Sequence, residues 1–192
     1  MTQPKNILKF LHTIENLKVT KRTGWIEHKI ANPESIADHM HRMGVMAMLL
    51  NDPAVDRNRV IQMAIVHDLA ESIAGDIAPS SGMSKEAKAQ LEKQAMDSLV
   101  AMLEGSLEAR EIESLFMEYE DGTTPEAVIV KDLDKFEMIV QAFEYEQRND
   151  ADLQSFFDST RGKFKHPTII SWVTELEIQR NQFHSRKQSA QP

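Results

Sequence analysis

The sequence predicts an all-α protein with a single helical domain, and three observations lead to this prediction. Apolar residues recur at intervals of three and four along most of the chain, which is the period of a helix with one buried face. Alternating apolar and polar runs, which are typical of strands, are nearly absent. With 192 residues and 41% hydrophobic content, the chain can bury one sizeable core. No repeat or long linker divides it, so we expect one domain over residues 1–192 with its core at about 5–182.

The first half of the chain contains three predicted helices, separated by segments rich in Gly, Pro and charged residues. The first spans Ile7–Leu17 and is ended by the basic, glycine-containing segment "KVTKRTGW", which we expect to be a loop. The second begins at the start signal Pro33–Ser35 and reaches about Leu50. The third runs from about Arg57 to Ile73, where "AGDIAPSSGMS" interrupts the periodicity with Gly, Pro and Ser.

The second half continues with four longer amphipathic segments. These predicted helices cover Lys85–Leu103, Leu107–Glu120, Pro125–Arg148 and Pro167–Arg180. The proline at the start of each of the last two suits a first helical turn. The polar tail "SRKQSAQP", residues 185–192, lacks apolar residues that could attach it to a core, so we expect it to be disordered.

Charge and composition limit the classes of function. The formal charge of −8, from 30 acidic and 22 basic residues, disfavours binding of a nucleic-acid polymer, which requires a positive surface. The chain has no cysteine, which excludes disulfides, thiolate metal sites and a thiol nucleophile. Its longest apolar run, "VMAMLL", is far shorter than the roughly 20 residues of a membrane span. We therefore expect a cytoplasmic protein with no membrane partner.

Polar side chains interrupt three of the predicted apolar helix faces. His67 and Asp68 stand together inside "IVHDLAE", and His39 lies on the apolar stripe formed with Met43, Met46 and Leu50. Asp134 lies on a similar stripe with Ala127, Val130 and Met138. Burying two imidazoles and two carboxylates without partners costs several kcal/mol, whereas one divalent cation satisfies all four together. The pattern therefore indicates a metal site.

Each of these residues also has an ordinary structural explanation. Taken alone, His39 is more often a hydrogen-bonded core histidine than a ligand, and Asp134 is more often a cap or a salt-bridge partner. A His-Asp dipeptide such as His67–Asp68 also arises often by chance in a chain with 7 histidines. The order of the four is the more specific signal: a helical His, then HD in a buried helix, then Asp on a later helix. This is the H…HD…D pattern of the HD-domain metal phosphohydrolases.

Over nearly its whole length the chain most closely resembles the HD-domain 5′-deoxynucleotidases, which remove phosphate from deoxyribonucleoside 5′-monophosphates. The segments that carry the resemblance are "RTGW", "ESIADHMHRM", "VHDLAESIAGDIAP", "VKDLDKFEMIVQAFEYE" and "STRGKFKHP". The resemblance implies an all-helical fold, one divalent metal such as cobalt or manganese, a small nucleotide substrate and a homodimer.

The resemblance also implies roles for individual residues. On the matching positions the metal ligands are His39, His67, Asp68 and Asp134. Glu71 is the acid or base, Arg22 and Trp25 contact the substrate, and Asp76 is a carboxylate on the substrate side of the catalytic site. Asp132 is a second candidate for the last ligand. Periodicity favours Asp134 only modestly, and the resemblance is what selects Asp134 over Asp132 as the last ligand.

These roles are chemically consistent. Imidazole and carboxylate ligands together suit Mn, Fe, Co, Ni or Zn without selecting one, and such an ion lowers the pKa of a bound water toward neutrality. Glu71 follows His67 by four residues and Asp68 by three, so we expect it on their helical face. A guanidinium such as that of Arg22 binds phosphate through two parallel hydrogen bonds. Without the resemblance, Glu71 and Arg22 are ordinary surface residues and Trp25 is core.

Two alternatives to the nucleotidase remain open at this stage. A phosphodiesterase or (p)ppGpp-type hydrolase uses the same ligands with a larger pocket, and a non-catalytic nucleotide-binding module keeps Arg22 and Trp25 without turnover. No histidine lies between Asp68 and Asp134, where two-metal relatives need further ligands, so we predict a single metal ion.

Overall fold

The computed structural model describes residues 2–149 and 151–189, and in this part of the chain it contains eleven α-helices and no β-strand. One isolated antiparallel bridge joins Lys21 to Ser35. The all-α prediction is therefore confirmed. The helices are α1 (Pro4–Ile14), α2 (Asn16–Val19), α3 (Thr23–Glu27), α4 (Ile36–Met48), α5 (Arg57–Val66), α6 (Glu71–Ala74), α7 (Lys85–Met102), α8 (Leu107–Asp121), α9 (Pro125–Asn149), α10 (Gln154–Thr160) and α11 (Pro167–Ser189).

The centre of the bundle is formed by α4, α5 and α9, which pack against one another. Helix α8 covers α5 and α9, while α10 and α11 pack on α9 from outside. The central helices meet through side chains that have almost no contact with solvent: Met43, Met63, Ile129, Leu133 and Ile139. Because α4, α5 and α9 also carry or precede the candidate metal ligands, the core of the fold fixes the relative positions of those ligands.

Polar side chains cap four of the helices, and one of them, Ser35, belongs to the predicted start signal of α4. The Ser35 side chain accepts a hydrogen bond from the Asp38 backbone N–H, and the Asp38 carboxylate accepts from the Ser35 N–H, which makes a complete capping box for α4. Asp56 accepts from two N–H groups in the first turn of α5. Ser84 and Ser106 cap α7 and α8 in the same way. These caps fix where α4 and α5 begin.

The predicted helix Arg57–Ile73 is wrong as one continuous element. Helix α5 ends at Val66, residues 67–70 form a turn, and α6 begins at Glu71. In this turn, backbone hydrogen bonds connect residues three apart, from Glu71 N to Asp68 O and from Ser72 N to Leu69 O, which winds the chain more tightly than an α-helix. His67 and Asp68 therefore lie at a break between two helices.

Other boundaries also differ from the prediction. Helix α1 covers Pro4–Ile14 and α2 follows after Glu15, where the sequence predicts one helix over Ile7–Leu17. The segment predicted as a loop contains α3. Local apolar periodicity cannot find helices as short as α2, α3 and α10, because four to seven residues span too few turns.

Helix α11 is longer than predicted. It extends past Arg180 to Ser189, so the predicted disorder from Ser185 is wrong for the described residues, and residues 190–192 lie outside them. No Gly or Pro occurs between residues 168 and 191 to end the helix. Arg180 and His184 also bind the buried carboxylate of Glu146 on α9, which holds this part of α11 against the bundle.

None of the helices in the described ranges combines the length and the apolar character needed to span a bilayer.

Candidate metal centre and active site

His39 is the most deeply buried of the predicted ligands. It lies on α4 with 0% exposure, and its Nδ1 donates to Glu137 Oε2 at 2.5 Å. This bond leaves Nε2 facing the interior, where it has no hydrogen-bond partner. Burial and Arg22 lower the pKa of His39, but Glu137 and Asp134 raise it by more, to about 9 in the metal-free protein. A bound cation would displace that proton, because a metal ligand must be deprotonated.

His67 presents its Nε2 to the same point. Its Nδ1 donates to the Ala64 carbonyl oxygen at 2.9 Å, which holds the ring with Nε2 toward the other candidate ligands. The ring is 2% exposed, and Nε2 has no hydrogen-bond partner. Asp68 Oδ2 lies 3.3 Å from this nitrogen and 3.9 Å from His39 Nε2. The turn after α5 therefore places both members of the His-Asp pair beside His39.

Asp134, and not Asp132, faces the two histidines. Its Oδ1 lies 3.3 Å from His39 Nε2, and its Oδ2 accepts from the hydroxyl of Tyr119 at 3.2 Å. Asp132 is 1% exposed on another side of α9, where its Oδ2 accepts from the backbone N–H groups of Lys165 and His166 at 2.6 and 2.7 Å. Asp132 therefore caps the start of α11.

The donor atoms of His39, His67 and Asp134 all lie within 4.8 Å of one another. Two of these donors are buried nitrogens without a partner, which is costly unless a cation binds them. Burial raises the pKa of Asp134, but His39 beside it lowers it by more, so the carboxylate stays ionised. Burial likewise raises the pKa of Asp68, and His67 lowers it by more. The residues present therefore fit a divalent metal ion.

A second group of possible ligands, Glu34, His39 and Glu137, shares one histidine with the first. Its carboxylates already have donors: Trp25 Nε1 binds Glu34 Oε1 at 2.8 Å, and Arg42 Nε binds Glu137 Oε1 at 2.8 Å. This group is a hydrogen-bond network behind His39.

Arg22 stands directly before α3 and reaches the ligands from the opposite side. Its NH1 donates to Asp68 Oδ2 at 3.1 Å, and its NH2 lies 3.9 Å from Asp134 Oδ1. Burial lowers the pKa of Arg22, but the carboxylates of Asp68 and Asp134 raise it by more, so the guanidinium stays charged. The arginine that the resemblance assigns to the substrate therefore lies beside the candidate metal ligands.

Glu71 is a buried carboxyl group without a partner. The residue is 5% exposed, and its Oε2 makes no hydrogen bond. Burial raises its pKa, and the nearby charges of Asp68 and Asp76 raise it further, to about 10 in the metal-free protein. A carboxyl group that holds a proton near neutral pH can donate it to a leaving group.

Asp76 and α3 are held together by two hydrogen bonds. The Thr23 N–H donates to Asp76 Oδ2 at 2.6 Å, and the Thr23 hydroxyl donates to the Asp76 carbonyl oxygen at 2.7 Å. Gly75 ends α6 with φ of 78°, a conformation that favours glycine and turns the chain back toward α3. The loop after α6 therefore carries Asp76 to the same opening as Arg22.

Trp25 is mostly part of the core. It is 2% exposed, its Nε1 donates to Glu34, and its ring contacts Tyr145 and Phe156 at centroid distances of 5.2 and 4.4 Å. The small exposed part of the residue lines the active-site cavity. The indole therefore offers a substrate little free surface.

All of the predicted site residues except His39 line one cavity of about 330 Å³, and His39 lies behind Asp134. Lys88 and Glu92 on α7 also line it, and their side chains approach to 3.4 Å. Lys131 also lines the cavity, with its Nζ 4.2 Å from the ring centre of Tyr119. No pattern in the sequence points to Lys88, Glu92 or Tyr119 as site residues, since no local spacing relates α7 or α8 to the helices that carry the candidate ligands.

An all-helical bundle that brings a His, a His-Asp pair and a later Asp to one buried point defines the HD class of metal-dependent phosphohydrolases. The family model described as "HD domain" matches residues 14–170. The chain therefore belongs to the HD domain family, whose members hold a divalent metal at this pattern.

Its relatives of known name include several 5′-deoxynucleotidases. The chain is 48% identical to 5′-deoxynucleotidase hdd1 of Schizosaccharomyces pombe, over 93% of this chain and 92% of that protein. It is 44% identical to 5′-deoxynucleotidase HDDC2 of Homo sapiens, over 92% and 87% of the two chains.

Solved structures have the same fold. The HD domain-containing protein YGK1 superposes with a TM-score of 0.72 at 34% identity, over 96% of this chain and 90% of that one. The PH0347 protein from Pyrococcus horikoshii superposes with a TM-score of 0.74 at 27% identity, over 91% and 98% of the two chains.

Proposed function

We propose that the protein is a metal-dependent 5′-deoxynucleotidase, a phosphomonoesterase that hydrolyses deoxyribonucleoside 5′-monophosphates to deoxynucleoside and phosphate. The observation that carries this proposal is the pair of buried, unpartnered nitrogens, His39 Nε2 and His67 Nε2, beside Asp134. They adjoin a cavity that is also lined by a cation, Arg22, and by Glu71, a buried carboxyl group whose pKa is raised. The substrate class follows from the names of relatives that are 44% and 48% identical over more than nine-tenths of this chain.

The ion in this proposal is a single divalent metal held by His39, His67, Asp68 and Asp134. Two imidazoles and two carboxylates accept cobalt, manganese and similar ions, so either of these could be the native metal. When bound, such an ion polarises the phosphoryl group and activates a water molecule. Asp68 would exchange part of its contact with Arg22 for the ion, since its Oδ2 now accepts from Arg22 NH1.

The other residues of the cavity complete the reaction. The Arg22 guanidinium holds the phosphate oxygens, because its planar donors match their spacing. Water attacks phosphorus and loses one proton to solvent, the bond between phosphorus and the 5′ oxygen breaks, and that oxygen takes up a proton. Glu71 Oε2, buried and unpartnered, supplies it. The Asp76 carboxylate, which is held in place by the Thr23 N–H, accepts a hydrogen bond from a hydroxyl of the sugar.

Two further expectations remain proposals: the homodimer that the resemblance implies, and the cytoplasmic location that the composition suggests. Large apolar side chains exposed on one side of α4 and α5 are compatible with self-association: Val45, Met48, Leu49 and Ile65. Light scattering of the purified protein measures the oligomeric state directly.

A phosphate-release assay tests the proposed activity. The metal-loaded protein is offered deoxyribonucleoside and ribonucleoside 5′-monophosphates, 3′-monophosphates, a phosphodiester and (p)ppGpp, each with cobalt, manganese or magnesium. We expect release from the deoxyribonucleoside 5′-monophosphates. Cleavage of the phosphodiester to a monoester, or release of pyrophosphate from (p)ppGpp, without phosphate release from any monophosphate would replace the proposal with one of these activities. No product from any compound would favour a binding module.

Two histidines on one helix provide a matched control. His39→Asn removes a buried ligand, whereas His41→Asn changes an exposed histidine two residues away. We expect the first variant to lose metal and activity and the second to keep both. Equal behaviour of the two variants would contradict the assignment of the metal site.

A further inference from the structure

A second cavity lies directly beside the active-site cavity. It has a volume of about 320 Å³ and shares four wall residues with the first: Gly24, Ala78, Met138 and Phe156. Its remaining walls come from α3, from residue 80 in the loop after α6, and from α10, and they include His28 and Ser155. The two cavities are thus adjoining parts of one opening, and the proposed phosphate chemistry occupies only the first.

The loop after α6 leads from one cavity to the other. Asp76 and Ile77 line the first, Ala78 lines both, and Ser80 lines the second. If, as proposed above, Asp76 binds the sugar while the phosphate lies at the metal ligands, the base attached to that sugar extends along Ala78 into the second cavity. We propose that this second cavity is the nucleobase subsite, and that Phe156 is the aromatic residue against which the base packs. This inference rests on the proposed function.

Phe156 is suited to this role by its position and support. Its ring is partly exposed and contacts Trp25 and His28 at centroid distances of 4.4 and 4.8 Å, which hold it in place. Gly24 of α3 packs directly beside the ring, and a Cβ at this position would make an ordinary van der Waals contact of 3.4 Å with Phe156 Cε1. Trp25 is 2% exposed, so the larger free aromatic surface at the junction of the cavities belongs to Phe156.

The polar groups around the second cavity do not select one base. Ser155 and Ser159 are exposed, and the Ser80 hydroxyl donates to Glu27 Oε1 at 2.5 Å across the cavity edge. His28 Nδ1 donates to the Gly24 carbonyl oxygen at 2.8 Å. Rotatable hydroxyls on an exposed edge do not form a rigid set of donors, whereas an aromatic surface accepts every base because each has a π-face. We therefore expect both purine and pyrimidine deoxynucleotides to bind.

The experiment compares a nucleotide with the same molecule lacking its base. The values of kcat/KM for thymidine 5′-monophosphate and for 2-deoxyribose 5-phosphate are measured with wild type, Phe156→Ala and Phe156→Tyr. Loss of stacking should lower the value for the nucleotide about 5- to 100-fold in Phe156→Ala and leave the value for 2-deoxyribose 5-phosphate unchanged. Phe156→Tyr should restore nucleotide hydrolysis. An equal fall on both substrates would overturn the proposal, since Phe156 would then act only through the packing of Trp25.

Two further measurements separate this inference from folding effects and from the proposed activity. Phe164→Ala removes another partly exposed phenylalanine that lines neither cavity, and it should reduce hydrolysis of neither substrate. Saturation-transfer NMR with thymidine, which has no phosphate, should show contact between base protons and wild type, and weaker contact with Phe156→Ala. Base contact without any phosphate release would support the subsite while refuting the proposed activity. Phosphate release without base contact would support the proposed activity while refuting the nucleobase subsite.

Discussion

His39 Nδ1 donates to Glu137 Oε2 at 2.5 Å, and this contact aims the opposite nitrogen of the ring at His67 and Asp134. Glu137 is fixed in turn by Arg42, whose Nε donates to its second oxygen at 2.8 Å. Burial raises the pKa of Glu137, but His39 and Arg42 lower it by more. An ionised carboxylate therefore orients the candidate ligand from behind, as is common for histidines that bind metals.

Glu137→Gln should weaken metal binding without abolishing it. The amide oxygen can still accept from His39 Nδ1, but the lost charge makes the imidazole a poorer ligand, so we expect about 10- to 100-fold lower metal affinity. Isothermal titration of the metal-free protein with manganese measures this. Glu144→Gln is the matched control, because Glu144 also binds Arg42 but does not contact His39. If both variants kept wild-type affinity, Glu137 would have only a packing role.

Removing the metal should lower activity and thermal stability together. A ligand present at about 100 times its Kd stabilises the folded state by about 2.7 kcal/mol, which corresponds to about 5–10 °C in Tm for a chain of this length. Calorimetry and phosphate release are measured before and after chelation, and again after the ion is restored. Full activity in protein shown by elemental analysis to contain no metal would disprove metal dependence.

Glu71→Gln should separate binding from turnover. The amide keeps the size of the side chain but cannot transfer a proton, so we expect turnover to fall about 10²- to 10⁴-fold while metal content and nucleotide binding remain. Glu120→Gln provides the control, since Glu120 lines the same cavity but is exposed. Near-normal turnover of Glu71→Gln would assign the proton transfer to another group.

Arg22→Lys should weaken recognition of the phosphate. Lysine keeps the positive charge but loses the planar pair of donors, and a lost charge-assisted hydrogen bond raises KM about 10- to 100-fold. Metal content, measured in parallel, should not change, because all four candidate ligands are retained and lysine keeps the positive charge beside Asp68 and Asp134. An unchanged KM would indicate that Lys88 or Lys131 holds the phosphate.

The sequence predicts those features of the fold and the site that depend on residues close together in the chain. The capping box at Ser35 and the apolar stripes of α4 and α9 are local signals. They correctly place His39 in the interior and Asp134 on the side of α9 that faces it, where the Asp134 side chain remains 30% exposed. The contact from His39 to Glu137 spans 98 residues, so no spacing along α4 shows it. Glu137 does follow Asp134 by three residues on α9, a spacing that could have indicated it.

The break between α5 and α6 shows a different limit. Residues 65–74 have a continuous helical pattern of apolar residues, yet hydrogen bonds between residues three apart tighten the chain at His67–Asp68. Glu71 still reaches the cavity, although the predicted common helical face is absent. The break between α5 and α6 therefore depends on tertiary packing and not on the local pattern. The same is true of Phe156, which lies at the cavity because α10 packs against α3.

The last prediction separates two aspartates that are two residues apart on α9. Successive residues turn a helix by about 100°, so Asp132 and Asp134 point in nearly opposite directions. The structure places Asp134 Oδ1 3.3 Å from His39 Nε2, whereas Asp132 Oδ2 accepts from the backbone N–H groups of Lys165 and His166. Asp134→Asn should therefore lose both metal and activity, because a neutral amide is a poor ligand for a divalent ion.

Asp132→Asn should keep metal and most of the activity but lower stability. The Asn amide oxygen can still accept from both N–H groups, which donate to one oxygen of Asp132. The side chain lacks the charge that attracts these groups and the Lys135 ammonium, which lies 3.3 Å from the other oxygen. Removal of a helix cap typically costs about 0.5–2 kcal/mol, so we expect Tm to fall by a few degrees. Metal analysis and calorimetry of both variants test this difference. Loss of metal from Asp132→Asn, with metal retained in Asp134→Asn, would show that Asp132 is the fourth ligand. Helix α9 would then have to be rotated about its axis so that Asp132 faces His39.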